Sequence, residues 1–498
     1  MNRSGKALGL AVTLIASASC SDWLTGPGLT ENPNSPVSAT AQQQLVAVQA
    51  SAWTRFEGQL ARNASIWTQQ LIGTNNQQLT YATQYGYSES DVGGQMTGFY
   101  TGGGLVGMRN VQQLARDAGD PLLEGIGKVW EGFSFGTAAS IWGDLPYSES
   151  VSTVTTPRLD TQQALYASVQ AVLDEGIALL TTAAGSASGS CEAADVVYCA
   201  TTITRQLQAQ RWIRAANTMK ARFHLHLAER LGGNAYTAAL AAAQLGINEV
   251  PTSAINAMDG AGPGDFRSWH GNVLDQDGNI WGSFLTSRND VAAGNVLVSL
   301  LQSRSDPRLA RYFDQNAGGQ YIGRNHNNIS VPSTATPSAI SSVRRALTYR
   351  QPLVTWAENQ LIMAEALCSP NVNAAARPAT CTGSPTNLAT ALLHVNNVRT
   401  SVGLAPLAAF GANAYVDIME EKYIAQYQNI DVWNDYKRSC VPTLTRFGTA
   451  TEVPGRMPYA AGERSTNPNI PLPNAYPAGT SAVGLSALRN WNDPFACP

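Results

Sequence analysis

The stretch Leu122 to Glu149 constrains the fold of this chain more than any other. From Leu122 to Ser140 the residues Ile126, Val129, Trp130, Phe133, Phe135 and Ala138 fall largely on one side of a helix. That helix runs into Ile141-Trp142-Gly143-Asp144-Leu145-Pro146-Tyr147-Ser148-Glu149. Gly143 can adopt the left-handed conformation that closes a helix, and Pro146 prevents the helix from resuming. Asp144 is a short acceptor suited to capping the turn. Trp142, Leu145 and Tyr147 offer apolar surface to whatever the turn packs on. Together they predict a rigid, buried helix-to-loop corner.

Helical periodicity dominates the rest of the chain. It predicts helices near 39–56, 57–72, 105–118, 122–141, 161–183, 209–231 and 235–245, a further one at 291–303, then 353–368, 386–401 and 413–429. Gly73 to Asp91 and the Gly/Asn/Trp-rich section 252–290 read as long loops. Residues 305–350 read as turns with short β-like runs such as Gln320-Tyr321-Ile322. The helices come in pairs with short links, as in helix-hairpin repeats, although no strict period is present. No Pro/Gly-rich boundary divides residues 37–498, so the expectation is a single, mainly α domain decorated by long irregular loops and a few short strands.

The N-terminus has the charge, apolar run and small-residue end of a secretory signal peptide, residues 1–19. Ser17-Ala18-Ser19 before Cys20 resembles a bacterial lipobox, with Ser17 where Leu is usual, which makes Cys20 the expected lipidation site. Residues 20–36, with Pro27, Pro33 and Pro36, then form a lipid-anchored tether. No later apolar run approaches the ~20 residues of a membrane span, so any membrane attachment is expected through the anchor. Setting Cys20 aside leaves six cysteines, an even number suited to an oxidising compartment. Cys191/Cys199 and Cys368/Cys381 bracket loop-like stretches, and Cys440/Cys497 remain as the third pair, tying the C-terminus to a helix end.

Motifs in several places carry a family resemblance. "SIWGDLPYSES" at the corner, Trp356 to Ala366 with Glu358 and Glu365, Val395-Asn396-Asn397-Val398-Arg399 before Gly403-Leu404, Glu420 to Tyr427 followed by Val432 to Arg438, and Pro454-Gly455-Arg456-Met457-Pro458-Tyr459 occur in the order found in the SusD/RagB family. The chain resembles that family, in the branch with the "AW.DYRR" form. The resemblance implies a SusD-like fold of stacked, TPR-like helix hairpins. It also implies a cell-surface lipoprotein that captures a nutrient, an oligosaccharide or a peptide, for a SusC-like TonB-dependent transporter. Glu358, Glu365, Arg399, Asp435, Arg438 and Arg456 are expected to form ion pairs and helix caps rather than a site.

Chemistry-bearing motifs are sparse. HExxH and P-loop patterns are absent from the sequence. Gly102, Gly104 and Gly107 have GxGxxG spacing but no preceding buried strand, so a flexible turn into a helix start is expected. His224 and His226 lie two apart on a helix and cannot form one chelate. Asp275-x-Asp277-Gly278 lacks the later bidentate Glu of a calcium loop. No catalytic residue, metal or cofactor is expected, and the reading is a binding protein rather than an enzyme. An extracellular hydrolase on a helical scaffold and a structural surface protein remain as other classes. With charged residues at 13% and a net charge of −3, nothing points to nucleic acid.

Aromatic residues in polar loops supply the candidate ligand contacts. Trp67 precedes a loop with Asn75, Asn76, Tyr81, Tyr85 and Tyr87; a second loop holds Trp269, His270, Trp281 and Arg288; a third holds Tyr321, beside Asn325 and His326. Flat rings can cover the C–H face of a sugar or a peptide side chain, while Asn, Gln and Arg bond hydroxyls or amides. The alternative for each ring is that it pins its own loop to the scaffold.

Overall fold

The computed structural model describes residues 39–497, apart from 84, 187, 275–276, 326–335, 373–376, 446–452 and 472–488. The signal peptide, Cys20 and the tether lie outside the described residues, as do Asp275 and His326.

The longer helices in the first half are α1 (Ala41–Ala50), α2 (Gln59–Trp67), α3 (Asn76–Thr83), α4 (Leu105–Asp117), α5 (Pro121–Trp142), α6 (Gln162–Ser186), α7 (Arg205–Leu225) and α8 (Gly233–Ala243). The second half holds α9 (Ile280–Ser287), α10 (Asn295–Ser303), α11 (Trp356–Cys368), α12 (Pro385–Ser401), α13 (Ala414–Ala425) and α14 (Asp431–Ser439). Local chemistry starts them. Thr40 and Gln43 form a capping box on α1, and Asp120 accepts from the amides of Leu122 and Leu123 beside Pro121 at the head of α5.

Consecutive helices pack side by side: α4 on α5, α5 on α6, α6 on α7, α7 on α8, and α11 on α12, with α8 joining the two groups by packing on α11. This is the TPR-like stacking expected. Close approach depends on small residues: a Cβ at Gly132 of α5 would stand 2.6 Å from Leu173 Cγ of α6. By length and composition α6 could cross a membrane, which the sequence reading did not anticipate. Its apolar side is instead buried on its neighbours, and Glu175 and Asp174 on its outer side pair with Lys128 and Lys220. That is the pattern of an amphipathic helix with one face on the stack and one outside it.

Short antiparallel ladders join distant segments: β1 (Leu71–Gly73) with β5 (Val291–Ala293), β2 (Leu145–Pro146) with β3 (Leu159–Asp160), and β4 (Phe266–Arg267) with β6 (Pro352–Val354). These correct several expected boundaries. The helix expected over 57–72 stops at Trp67, because Gln69 takes a positive φ of 59° and the chain turns into β1. The helix expected from 291 starts at Asn295, since Val291–Ala293 pairs with β1. Two of the longer helices, α3 and α9, fall in stretches whose sequence predicts loop. In α3 the polar run of Asn and Gln hides any apolar period, and in α9 the start is set by Asn279, whose side chain accepts from the amides of Trp281 and Gly282. Gln320–Ile322 is not a strand; the extended pairing there is a single bridge between Arg324 and Gly294.

The three disulfides form as paired in the sequence: Cys191–Cys199, Cys368–Cys381 and Cys440–Cys497. The family-motif charges are in ion pairs and backbone bonds, all of them buried except the half-buried Arg399. Arg222 donates to both carboxylate oxygens of Glu358, Arg399 Nη1 is 3.5 Å from Glu421, and Arg456 Nε donates to the carbonyl of Met457. His226 bonds Tyr166 and Asp431, so it is a packed core histidine. Gly102 has a positive φ of 58°, and Gly104 and Gly107 press on their own preceding turn, where a Cβ has no room; their spacing is a tight turn into α4.

The corner after α5 is rigid and buried. Gly143 sits at φ 76°, ψ −118°, and Trp142 Nε1 donates to the carbonyl of Pro458 at 3.0 Å. The Met457 amide donates to Ile141 O and the Tyr459 hydroxyl to Asp144 O, so two sequence motifs more than 300 residues apart meet here. Asp144 caps a different element from the one expected: its carboxylate accepts from the Gln162 amide at the start of α6. Gly143→Ala is expected to lose about 1–3 kcal/mol, because an L-residue is strained at that backbone conformation and its Cβ would stand 2.7 Å from Asn490 Oδ1. A urea midpoint equal to that of the wild type would refute this.

Candidate functional site

The three polar loops singled out in the sequence converge in space. The β1–β5 ladder sets Gly73 opposite Val291, and the residues just beyond it lock together. Thr74 donates its amide to Asp290 O at 2.8 Å and its hydroxyl to Asn289 O at 2.7 Å. Asn75 Nδ2 donates to Asn289 O, and Asn76 Nδ2 to Asp290 Oδ1, both at 2.9 Å. The third segment joins on the far side of β5: the Arg324 amide donates to Ala293 O, and the Asn295 amide donates to Arg324 O.

Where the segments meet they enclose a cleft of about 380 Å³, within the size range of small-molecule sites. Its apolar lining comes from Leu285 of α9, Val291 and Ala292 of β5, and Pro337, Ala339 and Ile340. Polar groups reach it from Thr74, Asn289 and Thr336, and three arginines line it: Arg288, Arg324 and Arg345.

The arginines are only loosely balanced. Arg288 is exposed and its Nη1 lies 3.8 Å from Asp290 Oδ2, whose other oxygen accepts from Asn76. Arg345 Nη2 is 3.3 Å from Asp314. The Arg324 Nε is buried and has no hydrogen-bond partner among the described residues. Beneath Arg288 lies the Phe284 ring, its centroid 5.5 Å from that guanidinium and 4.1 Å from that of Arg62. Burial pulls the Arg62 guanidinium down to about 10, and the nearby Arg288 charge adds to the effect.

The fate of the expected ligand contacts divides by chemistry. The structure corrects the expectation for most of the rings: Trp67, Tyr81, Tyr85, Tyr87, His270 and Trp281 are all buried, so none presents a face to a ligand. Each anchors its segment. Trp67 donates to Tyr81 O and meets Trp433 edge-on; Tyr81 and Tyr87 pack edge to face and bond Asp91, and burial pushes both phenols up. His270 Nε2 is 2.8 Å from Glu57 Oε2 inside the protein. Burial disfavours its charge, but the Glu57 carboxylate outweighs that and raises it above the usual histidine value. Trp269 and Tyr321 are half-buried and stand outside the cleft lining. Of the expected contacts, Arg288 lines the cleft, with Asn75 and Asn76 exposed beside it and their amide nitrogens spent on joining the loops.

The helical fold has counterparts in known proteins. A family model described as "Starch-binding associating with outer membrane", SusD-like_2, matches residues 33–460. The chain belongs to the SusD-like family. No curated protein matches it. Among solved structures it is similar to a SusD/RagB family protein from Bacteroides thetaiotaomicron, at 21% identity and TM-score 0.67, covering 92% of this chain and 100% of that one. It is also similar to a chitin-binding protein, at 18% identity and TM-score 0.69 with the same coverage, and to a chitin-binding SusD homolog from Flavobacterium johnsoniae, at 16% identity and TM-score 0.65, covering 92% and 98%. At these identities the structures establish the fold.

In this SusD-like protein the sequence reading missed Arg324 and Arg345, although a signal was available. Between Asp314 and Glu358 the chain carries Arg324, Arg344, Arg345 and Arg350 and no acidic residue. Arg350 donates to the carbonyls of Ser268, Val196 and Val197, and Arg344 donates through Nη2 to Met258 O while its guanidinium packs over the Tyr312 and Tyr349 rings. Arg324 and Arg345 are the two that face the cleft.

Proposed function

We propose that this SusD-like protein is a non-enzymatic substrate-binding lipoprotein that captures an oligosaccharide in the Arg288–Arg324 cleft and delivers it to a SusC-like TonB-dependent transporter of the outer membrane. The observation that carries the reading is the convergence of three loops on one cleft, held by a rigid helical scaffold in a chain whose family is described as starch-binding. Apolar lining from Val291, Ala292 and Ile340 offers a surface for the C–H face of a sugar ring, and Thr74, Asn289 and Thr336 offer hydroxyl and amide partners. The chitin-binding relatives support a glycan over a peptide.

In this reading residues 1–19 are removed, Cys20 carries lipid, residues 20–36 are a tether and residues 37–498 form one binding domain at the cell surface. Calorimetric titration of the purified protein with a panel of oligosaccharides and peptides tests the ligand class, and affinity capture from outer membranes tests the transporter. A glycan that binds without being cleaved, together with a co-purifying TonB-dependent transporter, is the expected result. Release of sugar or peptide products would overturn the non-enzymatic reading. Binding of peptides alone would move the ligand class.

A further inference from the structure

We propose that the oligosaccharide is acidic, carrying carboxylate or sulfate groups on its sugar rings, and that Arg288 and Arg324 bind those groups. This rests on the glycan-binding reading above and narrows its substrate class.

The sign of the cleft is not inherited from the molecule. The chain as a whole is slightly negative, at −3, yet three arginines line this one cavity. Two acids offset two of these charges, Asp290 at 3.8 Å from Arg288 and Asp314 at 3.3 Å from Arg345, which leaves Arg324 without an ion pair among the described residues. Buried arginines elsewhere are of two kinds: Arg308 is held by Asp306 and Glu421 and Arg222 by Glu358, whereas Arg55, Arg62 and Arg344 have no acid and keep a buried Nε without a hydrogen-bond partner among the described residues. Arg324 is of the second kind, and it is the one of these that lines the cleft. Its Nε is buried without a hydrogen-bond partner among the described residues, a costly arrangement unless something completes it. Arg288 is exposed, its closest acid is 3.8 Å away, and its guanidinium rests over Phe284. Both present planar donor forks, which match a carboxylate or a sulfate far better than a neutral hydroxyl.

The shape argues for an extended ligand over a free anion. A cleft of about 380 Å³ greatly exceeds one sulfate or acetate, and its charged groups alternate with apolar wall from Val291, Ala292, Pro337 and Ile340. A chain of sugar rings with an acidic group on some of them fits both features.

The test is calorimetric titration of the full protein with four defined probes: galacturonic-acid oligomers (carboxylate only), sulfated galactan oligomers (sulfate only), and neutral malto- and chito-oligosaccharides. Each is measured with wild type, Arg288→Gln, Arg324→Gln and the remote surface control Arg158→Gln. The expected result is preferential binding of one acidic series, weakened as salt rises and weakened about tenfold or more by Arg324→Gln or Arg288→Gln. Arg158→Gln should leave it unchanged. Which acidic series binds identifies carboxylate or sulfate as the group recognised. Circular dichroism of each variant establishes that it is folded. Neutral oligosaccharides binding at least as tightly as acidic ones, with affinity indifferent to both arginines, would overturn the acidic assignment and leave the glycan reading standing. Binding of a glutamate-rich peptide in place of every glycan would overturn both.

Discussion

Replacing Glu365 by alanine is expected to destabilise the protein by about 3–5 kcal/mol, because it strands two buried cations. Glu365 is fully buried on α11; its carboxylate is bonded bidentately by Arg438, with Nη2 at 2.7 Å from Oε2, and Lys422 Nζ stands 3.3 Å away. Arg438 and Lys422 share one further acid, Asp435, whose Oδ1 lies 3.0 Å from the lysine. With Glu365 gone, a single carboxylate must balance two buried positive charges from α13 and α14. Removing one partner of a buried pair costs more than the pair itself contributes, since the other charge stays desolvated.

The same network predicts how the wild type responds to acid. Burial alone would raise the Glu365 carboxyl, but Arg438 and Lys422 outweigh it and hold the group below its usual value. Burial likewise works against Asp431, and Arg222 and His226 hold it well below the usual aspartate range. An acid whose pKa is depressed by folding adds stability that is present above its unfolded value, about 4, and lost as pH falls through the folded one. Stability should therefore fall as the pH drops below about 4, and the acid limb should be shallower in Glu365→Ala. Urea midpoints followed by circular dichroism from pH 7 to 3 would show it. A variant within 1 kcal/mol of wild type at pH 7 would mean that the three helices are held by apolar packing alone.

Removing the Cys440–Cys497 bridge with a double serine variant is expected to cost about 4 kcal/mol by loop-closure entropy, within a general range of about 2–5. The two cysteines are 57 residues apart, the widest separation of the three disulfides. Cys440 closes α14 in the left-handed conformation, and Cys497 is buried against it. The consequence extends beyond chain entropy. The segment held by the bridge reaches back to the corner after α5: Asn490 Nδ2 donates to Ser140 O, and Asn492 exchanges hydrogen bonds with Gln162 and donates to His226 O. The double variant is therefore expected to expose the Gly143 turn to hydrogen exchange as well as to lower the urea midpoint. Global reduction is a poorer experiment, since it opens Cys191–Cys199 and Cys368–Cys381 too. An unchanged midpoint would show that the C-terminal segment docks without its covalent tie.

The expected binding rings show where sequence reasoning ends. Tyr81, Tyr85, Tyr87 and Trp281 look available because they are scattered among Asn, Gln and Gly with no apolar period around them. In the structure each buries its ring, and the polar neighbours Asn75, Asn76 and Asn289 remain outside. Burying a large aromatic ring stabilises by about 1.5–3 kcal/mol, so a loop next to a scaffold turns its rings inward unless something opposes it.

The sequence by itself determined the mainly helical stack, the Gly143–Pro146 corner and the family, because each depends on local periodicity, on backbone stereochemistry at single residues, or on the order of motifs along the chain. Only the tertiary structure decided which loop residues face the cleft. Asn75 meets Asn289, and Arg324 meets Ala293, through ladders between segments far apart in the chain. An arginine's role depends on whether a carboxylate lies within reach in space: nothing local to Arg438 announces that Glu365, 73 residues away, reaches it, and nothing local to Arg324 announces that it lines the cleft without an ion pair among the described residues.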